Sequence, residues 1–331
     1  MIKDIANLNQ INLINMKKEL NYLFNEEFLP RCRHIKKMSE VSIRGYKSAF
    51  ELLVNLMPEV VYPEDLTPNI LTKFFQKLNT RPRIVGRGKE RIGIKKSTVA
   101  TYWSKLNKFF RWLVDNEHMK KSPLSNDDYP TVEYDDRRYL KKSDVEKIFN
   151  SIDFVTKWKN NIIRKRNIVI FSILLYTGIR RGELLGLKNA DIDFDNKNLI
   201  VRAETSKSKK ERIIPLHPIP LAKIKDYMEE KRRINLDTVY LLASDNCKGG
   251  LSYNGIKHLV EKIRKESGVR FHLHQFRHTF AVNFLKKNNN IVYLQQLMGH
   301  KKISMTAKYL RCIPTEEMRN CVDSLTLDNL I

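Results

Sequence analysis

The sequence predicts a mainly α-helical protein with two domains and one small β-hairpin. Apolar residues recur along most of the chain at the helical spacing of about 3.6 residues. Only one pair of segments, residues 199–201 and 213–216, has the β-branched composition of strands flanking a polar turn. The helical spacing disappears between residues 121 and 136, which indicates a linker. The length of 331 residues agrees with two domains, because a single core usually stops growing near ~250–300 residues.

These patterns divide the chain into four parts. We predict a basic helical extension at residues 1–38, a helical domain at residues 39–120, a linker at residues 121–139 and a second domain at residues 140–331. Residues 315–331 have an amphipathic pattern that predicts a terminal helix. Its apolar face favours docking on a neighbouring subunit.

Helix signals define the first domain. Residues 39–57 keep apolar positions on one face. Thr67 is predicted to cap a second helix whose first residue is Pro68, where the missing N–H of proline costs nothing. A third helix, with a buried aromatic face, is predicted to begin after Ser97 or Thr98 as its cap.

Positive charge is spread along the whole chain, with 61 Lys and Arg against 37 Asp and Glu and a net charge of +24. A polyanion is the partner that this charge predicts, although lysine-rich surfaces also arise from an AT-rich genome. The charge is dense at residues 81–96, where glycines predict an irregular loop that binds a phosphate backbone, the alternative being a solvated linker. The residues predicted to bind nucleic acid are Arg87, Lys89, Arg91, Lys95, Lys96, Lys105 and Lys108.

The second domain begins with Ser143 and Glu146, which have the spacing of a capping box. Residues 162–176 predict a strongly apolar helix. Arg180 then starts another helix, where the helix dipole already presents positive charge, so the arginine indicates an anion nearby or a solvated surface position. Glu183, three residues further on, is placed to orient the guanidinium.

The predicted hairpin has a lysine-rich turn at residues 205–212. Lysines at such turns are usually solvated, but they also reach into DNA grooves. Further helices are predicted at residues 220–233, 253–266, 274–287, 292–298 and 304–311.

Residues 271–310 place polar side chains among apolar helical segments. His274 and Arg277 are three residues apart and therefore lie on one helix face. His300 follows an apolar run, and Tyr309 lies on the next short helix. The two cationic or proton-handling groups of the H-x-x-R motif, His274 and Arg277, and the phenol of Tyr309 are thus expected to converge.

Composition excludes several classes of protein. The cysteines, Cys32, Cys247, Cys312 and Cys321, form no C-x-x-C pair, which argues against a zinc site and predicts a reducing, cytoplasmic location. The sequence has no secretory signal, no apolar run long enough for a membrane span, no acidic metal cluster and no Walker loop. We therefore expect no metal, no cofactor and no membrane partner.

Several short motifs occur in a characteristic order, and this order indicates a resemblance that no single residue would indicate. T-G-I-R-R-G-E, S-K-S-K-K-E-R-I-I-P-L, H-Q-F-R-H, L-M-G-H and then a tyrosine follow one another. This series resembles the tyrosine recombinase, or phage integrase, family over about residues 140–312. The resemblance implies a catalytic set of Arg180, Lys207, His274, Arg277, His300 and Tyr309. Lys209 and Lys210 remain alternatives to Lys207, because hairpin register cannot be read from sequence.

The resemblance also implies an architecture. A helical, SAM-like core-binding domain precedes a mixed α+β catalytic domain of the tyrosine recombinase type, and the two domains grip opposite sides of a duplex. The implied partners are double-stranded DNA with a specific recombination site, a homotetramer formed on that DNA, and accessory or directionality proteins.

The implied chemistry is a phosphodiester exchange. Arg180 and Arg277 neutralise the phosphate oxygens, and their field favours the phenolate of Tyr309. Tyr309 attacks with His274 as proton acceptor, and Lys207 protonates the leaving 5′ oxygen. His300 is expected to hydrogen-bond the phosphate or to steady the tyrosine. The product is a covalent 3′-phosphotyrosine, formed without ATP or metal.

Three other functions compete with this interpretation. A type IB topoisomerase uses similar chemistry as a monomer, whereas the apolar terminal segment favours an oligomer. A DNA-binding regulator with decayed catalysis would lack a catalytic position, and none is missing. An RNA-binding protein would explain the charge but not the ordered motifs. Chromosome-dimer resolution, phage integration and transposon integration remain open.

Overall fold

The computed structural model describes residues 18–86, 88–131, 139–206, 209–247, 249–288 and 290–313. Arg87, Lys207 and the predicted terminal helix at residues 315–331 lie outside these ranges. The chain divides into two compact units, Met1–Tyr134 and Asp135–Ile331. No helix in the described ranges is long and apolar enough to cross a membrane.

The first unit is mostly helical. Its N-terminal segment is helical over Leu20–Tyr22, Leu23–Phe28 and Arg31–Ile35. The elements that follow are α1 (Glu40–Leu56), α2 (Pro68–Thr80), β1 (Pro82–Val85), β2 (Lys89–Ile92) and α3 (Lys96–Asp115), with short 3-10 turns at Pro63–Asp65 and Asn126–Asp128. Thr67 caps α2 as predicted, because its Oγ1 accepts from the amide of Ile70 at 3.3 Å.

An aromatic cluster holds this unit together. Phe24 stacks on Phe50 with ring centroids 3.9 Å apart, and both pack edge-on against Phe109. All three rings are buried. Phe24 lies in the N-terminal segment, so that segment belongs to the core formed by α1 and α3. The predicted boundary at residue 38 therefore does not separate two packing units.

The predicted irregular loop at residues 81–96 is instead a β-hairpin, and that prediction was wrong. Strands β1 and β2 pair antiparallel, with Arg83 opposite Arg91 and Val85 opposite Lys89. Gly88 has a φ of 76°, which supplies the left-handed turn conformation that lets the strands pair. Helix α3 begins just after the hairpin, and its N-cap Lys95 makes no side-chain cap bond. The predicted caps Ser97 and Thr98 therefore lie inside the first turn.

The second unit contains a helical core and a small sheet. Its helices are α4 (Lys142–Asn150), α5 (Asn161–Thr177), α6 (Arg181–Leu185), α7 (Pro218–Arg233), α8 (Tyr253–Ser267), α9 (Leu273–Asn288), α10 (Ile291–Met298) and α11 (Ser304–Ala307), the last continuing as a 3-10 turn over Lys308–Cys312. A π turn at Ser151–Val155 and a 3-10 turn at Asn189–Asp191 connect these elements. Helix α5, predicted from its apolar composition, is buried against α7 and α9.

The sheet has three antiparallel strands in the order β3 (Ile192–Asp193), β4 (Asn198–Val201) and β5 (Arg212–Pro215). Strands β4 and β5 form the predicted hairpin, with Leu199 opposite Ile214. Strand β3 was not predicted, because two residues are too short for a periodic signal. The predicted capping box at Ser143 is absent, since α4 begins at Lys142 and its N-cap Lys141 makes no side-chain cap bond.

A separate apolar cluster fixes the last described elements onto α9. Val282 and Leu285 of α9 pack with Leu294 and Met298 of α10. Tyr309, on the final 3-10 turn, belongs to the same cluster. The predicted mainly helical fold with small antiparallel sheets is confirmed, and this cluster places the tyrosine beside α9.

Candidate active site

Arg180 occupies the turn between α5 and α6. Gly178 ends α5 in the left-handed conformation, with a φ of 60°, and the chain then turns so that Arg180 caps α6. Glu183 accepts from the Arg180 amide at 2.8 Å and from its Nη1 at 3.0 Å. The carboxylate thus orients the guanidinium in the way that the spacing predicted.

Arg277 lies on α9 and is almost completely buried, with 2% of its surface exposed. Its guanidinium donates to the carbonyl oxygen of Gly178 and, at 2.7 Å, to that of Met298. Burial lowers the pKa of Arg277 to about 9, and the charge of Arg180 acts in the same direction. The guanidinium is still protonated at neutral pH.

His300 is neutral, and its two hydrogen bonds define its tautomer. Arg277 Nη2 lies 2.9 Å from Nε2 of the imidazole, and because a guanidinium only donates, Nε2 must accept. Nδ1 therefore carries the proton and donates to Thr306 Oγ1 at 2.8 Å. Burial, followed by the charges of Arg277 and Arg180, lowers the pKa of His300 to about 3.

Tyr309 lies between two histidines. Its ring is parallel to that of His300, with 8° between the planes and centroids 6.4 Å apart, and it meets His278 edge-on at 5.4 Å. Burial raises the pKa of the phenol, while the charges of Arg277 and Arg180 act in the opposite direction. The arginines favour the phenolate as expected, but burial outweighs them and the net shift of the pKa is upward.

His274 is exposed at the start of α9, and its ring meets that of His278 at 4.6 Å. The three rings of His274, His278 and Tyr309 therefore follow one another along one side of α9. Sequence reasoning missed His278, although it lies four residues after His274 and so shares its helix face.

Arg212 is a second residue that sequence reasoning missed. Its Nη1 and Nη2 donate to the two carboxylate oxygens of Glu183 at 3.1 and 2.7 Å, and its Nε donates to the carbonyl oxygen of Leu297 at 2.8 Å. Strand alternation could have identified it, since Arg212 is two residues before the buried Ile214 and faces the same side of β5.

The structure thus brings together Arg180, Arg277, His300 and Tyr309, with His274 at the edge. Lys207 lies outside the described residues, and the neighbouring Lys209 and Lys210 are exposed. Within the described part of the chain, no group of three or more His, Cys, Asp or Glu side chains could hold a metal ion.

The residues predicted to bind nucleic acid lie in the first unit. Lys89 and Arg91 are exposed on β2, and Lys95, Lys96 and Lys108 are exposed at or on α3. Lys105 differs, because its ammonium lies over the ring of Tyr46, 5.5 Å from the centroid. Arg87 lies outside the described residues.

Comparison with known proteins identifies the class. The profile of the phage integrase family matches residues 138–315, more than half of the chain. The tyrosine recombinase XerD of Listeria monocytogenes is 29% identical over 295 residues, 86% of this chain and 92% of that protein. The tyrosine recombinase XerA of Thermococcus onnurineus is 32% identical over 166 residues, which cover 50% of this chain and only 57% of that protein.

Solved structures share the fold. The XerH site-specific recombinase bound to palindromic difH substrate has a TM-score of 0.69 at 18% identity, covering 89% of this chain and 82% of that chain. A lambda integrase tetramer bound to a Holliday junction has a TM-score of 0.66 at 20% identity, covering 89% and 78%. These findings define an enzyme that cleaves and rejoins DNA. The chain belongs to the phage integrase family and is a site-specific tyrosine recombinase of the Xer-like type.

Proposed function

We propose that this recombinase cleaves DNA with Tyr309 as the nucleophile and with Arg180 and Arg277 as the binding groups for the scissile phosphate. The proposal rests on the buried guanidinium of Arg277 and the half-buried guanidinium of Arg180, both of which act on the buried phenol of Tyr309 through their charge. Arg180, Arg212 and Arg277 share one nearby carboxylate, that of Glu183, while His300 is neutral. The excess positive charge fits the anionic phosphate of a DNA strand.

The upward shift in the pKa of Tyr309 determines which group must remove its proton. Because burial raises the pKa of Tyr309, the phenol enters the reaction protonated and needs a base. His274 takes this role, with His278 lying between it and the tyrosine. As Tyr309 Oη attacks the phosphorus, the bond to the 5′ oxygen breaks, and Lys207 donates the proton that the leaving oxygen takes up.

His300 has a positioning role in this scheme. Its neutral Nε2 accepts from Arg277 and its ring is parallel to Tyr309. It therefore holds the guanidinium and the nucleophile in one arrangement. The covalent 3′-phosphotyrosine conserves the energy of the broken bond, so that rejoining needs neither ATP nor a metal.

The proposed partners are duplex DNA with a specific site and other copies of the chain. Lys89, Arg91, Lys95, Lys96 and Lys108 contact DNA phosphates, together with Arg87 and Lys105. Accessory or directionality proteins and a cytoplasmic location complete the proposal. We also propose a core-binding domain at residues 39–120, whose core includes the preceding helical segment, and a catalytic domain at residues 140–331.

An apolar groove in the second unit supports a tetramer. It has a volume of about 1150 Å³ and is lined by Val145, Leu175, Phe280, Phe284 and Leu297. Lysines also line it, namely Lys141, Lys142, Lys286 and Lys287. Residues 314–331 combine an apolar pattern with the acidic residues Glu316, Glu317, Asp323 and Asp328. We assign this groove to the terminal segment of a neighbouring copy.

Covalent capture tests the nucleophile. The protein is incubated with nicked duplexes of randomised sequence, so that the cleaved fragment diffuses away and the adduct accumulates. Adducts are separated on a denaturing gel, and their DNA is sequenced. We expect the wild type to form adducts with one enriched sequence and Tyr309→Phe to form none, a loss of more than about 10³-fold.

Tyr293→Phe is the matched control, because Tyr293 is an exposed tyrosine of α10. It should form adducts at the wild-type rate. Adducts that persist in Tyr309→Phe, or a wild type that forms none, would contradict the proposal.

A further inference from the structure

Three arginines meet three successive carbonyl groups at the C-terminal end of α10. Arg212 Nε donates to Leu297 O at 2.8 Å, Arg277 Nη2 to Met298 O at 2.7 Å, and Arg180 Nη2 to Gly299 O at 3.3 Å. Carbonyl groups at a helix C-terminus lack intrahelical donors and carry partial negative charge. The end of α10 is therefore suited to gather cations that would otherwise repel one another.

Glu183 is the charged centre of this group. Only 1% of its surface is exposed, and it accepts hydrogen bonds from Arg180 and from both terminal nitrogens of Arg212. Burial raises the pKa of its carboxyl, but the hydrogen bonds and charges of Arg212 and Arg180 together lower it by more, and the net shift is downward. The ionised carboxylate is thus shared between two guanidinium groups, and Arg212 has the larger share.

We propose that Arg212 is a positioning residue for DNA cleavage, acting through Arg180. This inference rests on the proposed role of Arg180 at the scissile phosphate. By engaging both oxygens of Glu183, Arg212 limits the pairing of Arg180 with that carboxylate to one side-chain hydrogen bond. Among the described residues, the second Arg180 nitrogen makes one hydrogen bond, to Gly299 O at 3.3 Å, which is the longest of the three carbonyl contacts. A phosphate oxygen can replace that contact.

Removal of Arg212 should redirect Arg180. Glu183 would then be a buried carboxylate with a single guanidinium neighbour, and Arg180 would pair with it through both nitrogens. A guanidinium held in this way turns away from the phosphate. Cleavage would slow although every group that contacts the DNA is still present.

Arg212→Met tests this inference, since methionine keeps the volume of the side-chain stem without its charge. The substrate is the duplex enriched by covalent capture, and the single-turnover rate of adduct formation is measured. We expect a loss of between about 10- and 100-fold, the range typical when a residue that orients an active-site group is removed. Arg212→Lys keeps the charge but not the fork, and it should recover part of the rate.

Arg202→Met is the matched control. Arg202 follows β4 in the same sheet and pairs with the buried Asp191 at 2.5 Å. Among the described residues, it contacts neither Glu183 nor α10. It should lower the melting temperature as Arg212→Met does, because each variant removes an arginine that pairs with a buried carboxylate. Its cleavage rate should stay within about threefold of the wild type.

A second substrate separates positioning from a purely structural role. A methylphosphonate at the scissile position removes the charge that Arg180 would neutralise. If Arg212 acts through Arg180, Arg212→Met should slow adduct formation on this substrate by less than about threefold. The inference would be overturned if Arg212→Met slowed adduct formation equally on both substrates, or did not slow it on the phosphodiester. Either result would leave the assignment of Tyr309 as the nucleophile intact. Should Arg212→Met fail to fold, the same comparison with Arg212→Lys decides.

Discussion

The tautomer of His300 is set by its two neighbours, and burial keeps the imidazole neutral. Because Arg277 donates to Nε2, the imidazole proton is confined to Nδ1, where it is donated to Thr306. With a pKa lowered to about 3, His300 is neutral above about pH 4 and has no proton to give at its Nε2 face. It is therefore unsuited to protonate the leaving oxygen, which is consistent with the proposed role of the hairpin lysine as the general acid.

Substitution of that lysine gives a test at the scale of one residue. Lys207→Ala should slow cleavage of an ordinary phosphodiester by about 10²- to 10⁴-fold, the usual contribution of a general acid. On a 5′-bridging phosphorothiolate the effect should nearly vanish, because the sulfur leaves without a proton. Rates of adduct formation on the two substrates are compared.

Lys209→Ala and Lys210→Ala are the controls for this test, since both lysines lie in the same turn and were alternatives for the same role. They should slow both substrates equally or not at all. If one of them shows the selective loss instead, the general acid is that lysine and not Lys207.

At the scale of elements, two helix ends organise the site. The end of α5 at Gly178 exposes a carbonyl oxygen to Arg277, and the end of α10 presents its last carbonyls to three arginines. Gly299 also adopts the left-handed conformation, with a φ of 60°, and a Cβ there would lie 3.0 Å from Nη1 of Arg212. This close approach links the backbone of α10 to the positions of the arginines.

Gly299→Ala should therefore destabilise the protein more than the same change at a glycine with open space. Gly268 ends α8 with a φ of 68°, and a Cβ there would meet no atom within 4 Å. We expect Gly268→Ala to cost about 1 kcal/mol of unfolding free energy for the backbone strain alone. Gly299→Ala should cost about 1–3 kcal/mol more, because a side chain is forced into a packed site. Urea unfolding of both variants measures the difference, and equal costs would show that the contact with Arg212 is unimportant.

Some elements could be predicted from the sequence and others could not, for physical reasons. Helix α5 was predictable because its residues 168–175 are apolar apart from Ser172 and because the helix ends at a glycine. The hairpin of β1 and β2 was not, because its strands are almost entirely exposed and have no apolar alternation toward a core. Its glycines were interpreted as preventing structure, whereas Gly88 forms the turn.

The residues of the candidate site likewise differ in how far they could be predicted from the sequence. The proximity of His274, Arg277, His300 and Tyr309 could be predicted, because local spacing and motif order indicated it. The role of Arg212 depends on contacts with Glu183 and Leu297, which are 29 and 85 residues away along the chain. The pKa of Tyr309 could not be predicted either, because its direction depends on how far burial outweighs the charge of the arginines.

At the scale of the whole molecule, the net charge of +24 predicts strong and salt-dependent binding to DNA. Each phosphate contact releases condensed counterions, so the binding constant falls with salt in proportion to the number of contacts. Lys89 and Arg91 lie on strand β2 of the hairpin in the first unit, and every residue of that strand is exposed. If the hairpin lies along the DNA backbone, each of its charges that contacts a phosphate should add a fixed amount to the salt dependence of binding.

The double variant Lys89→Ala/Arg91→Ala tests this assignment. Loss of two phosphate contacts should reduce the slope of log K against log salt concentration by about 1.8, that is, about 0.9 for each contact. Lys47→Ala/Lys73→Ala removes the same charge from exposed positions on α1 and α2 and serves as the control. Binding to a labelled duplex is measured by fluorescence anisotropy over a range of salt concentrations. The hairpin variant alone should lose slope, because counterion release follows direct contacts and depends little on net charge. An equal loss in both variants would mean that the charge of the unit acts as a diffuse field and that the hairpin does not contact the backbone.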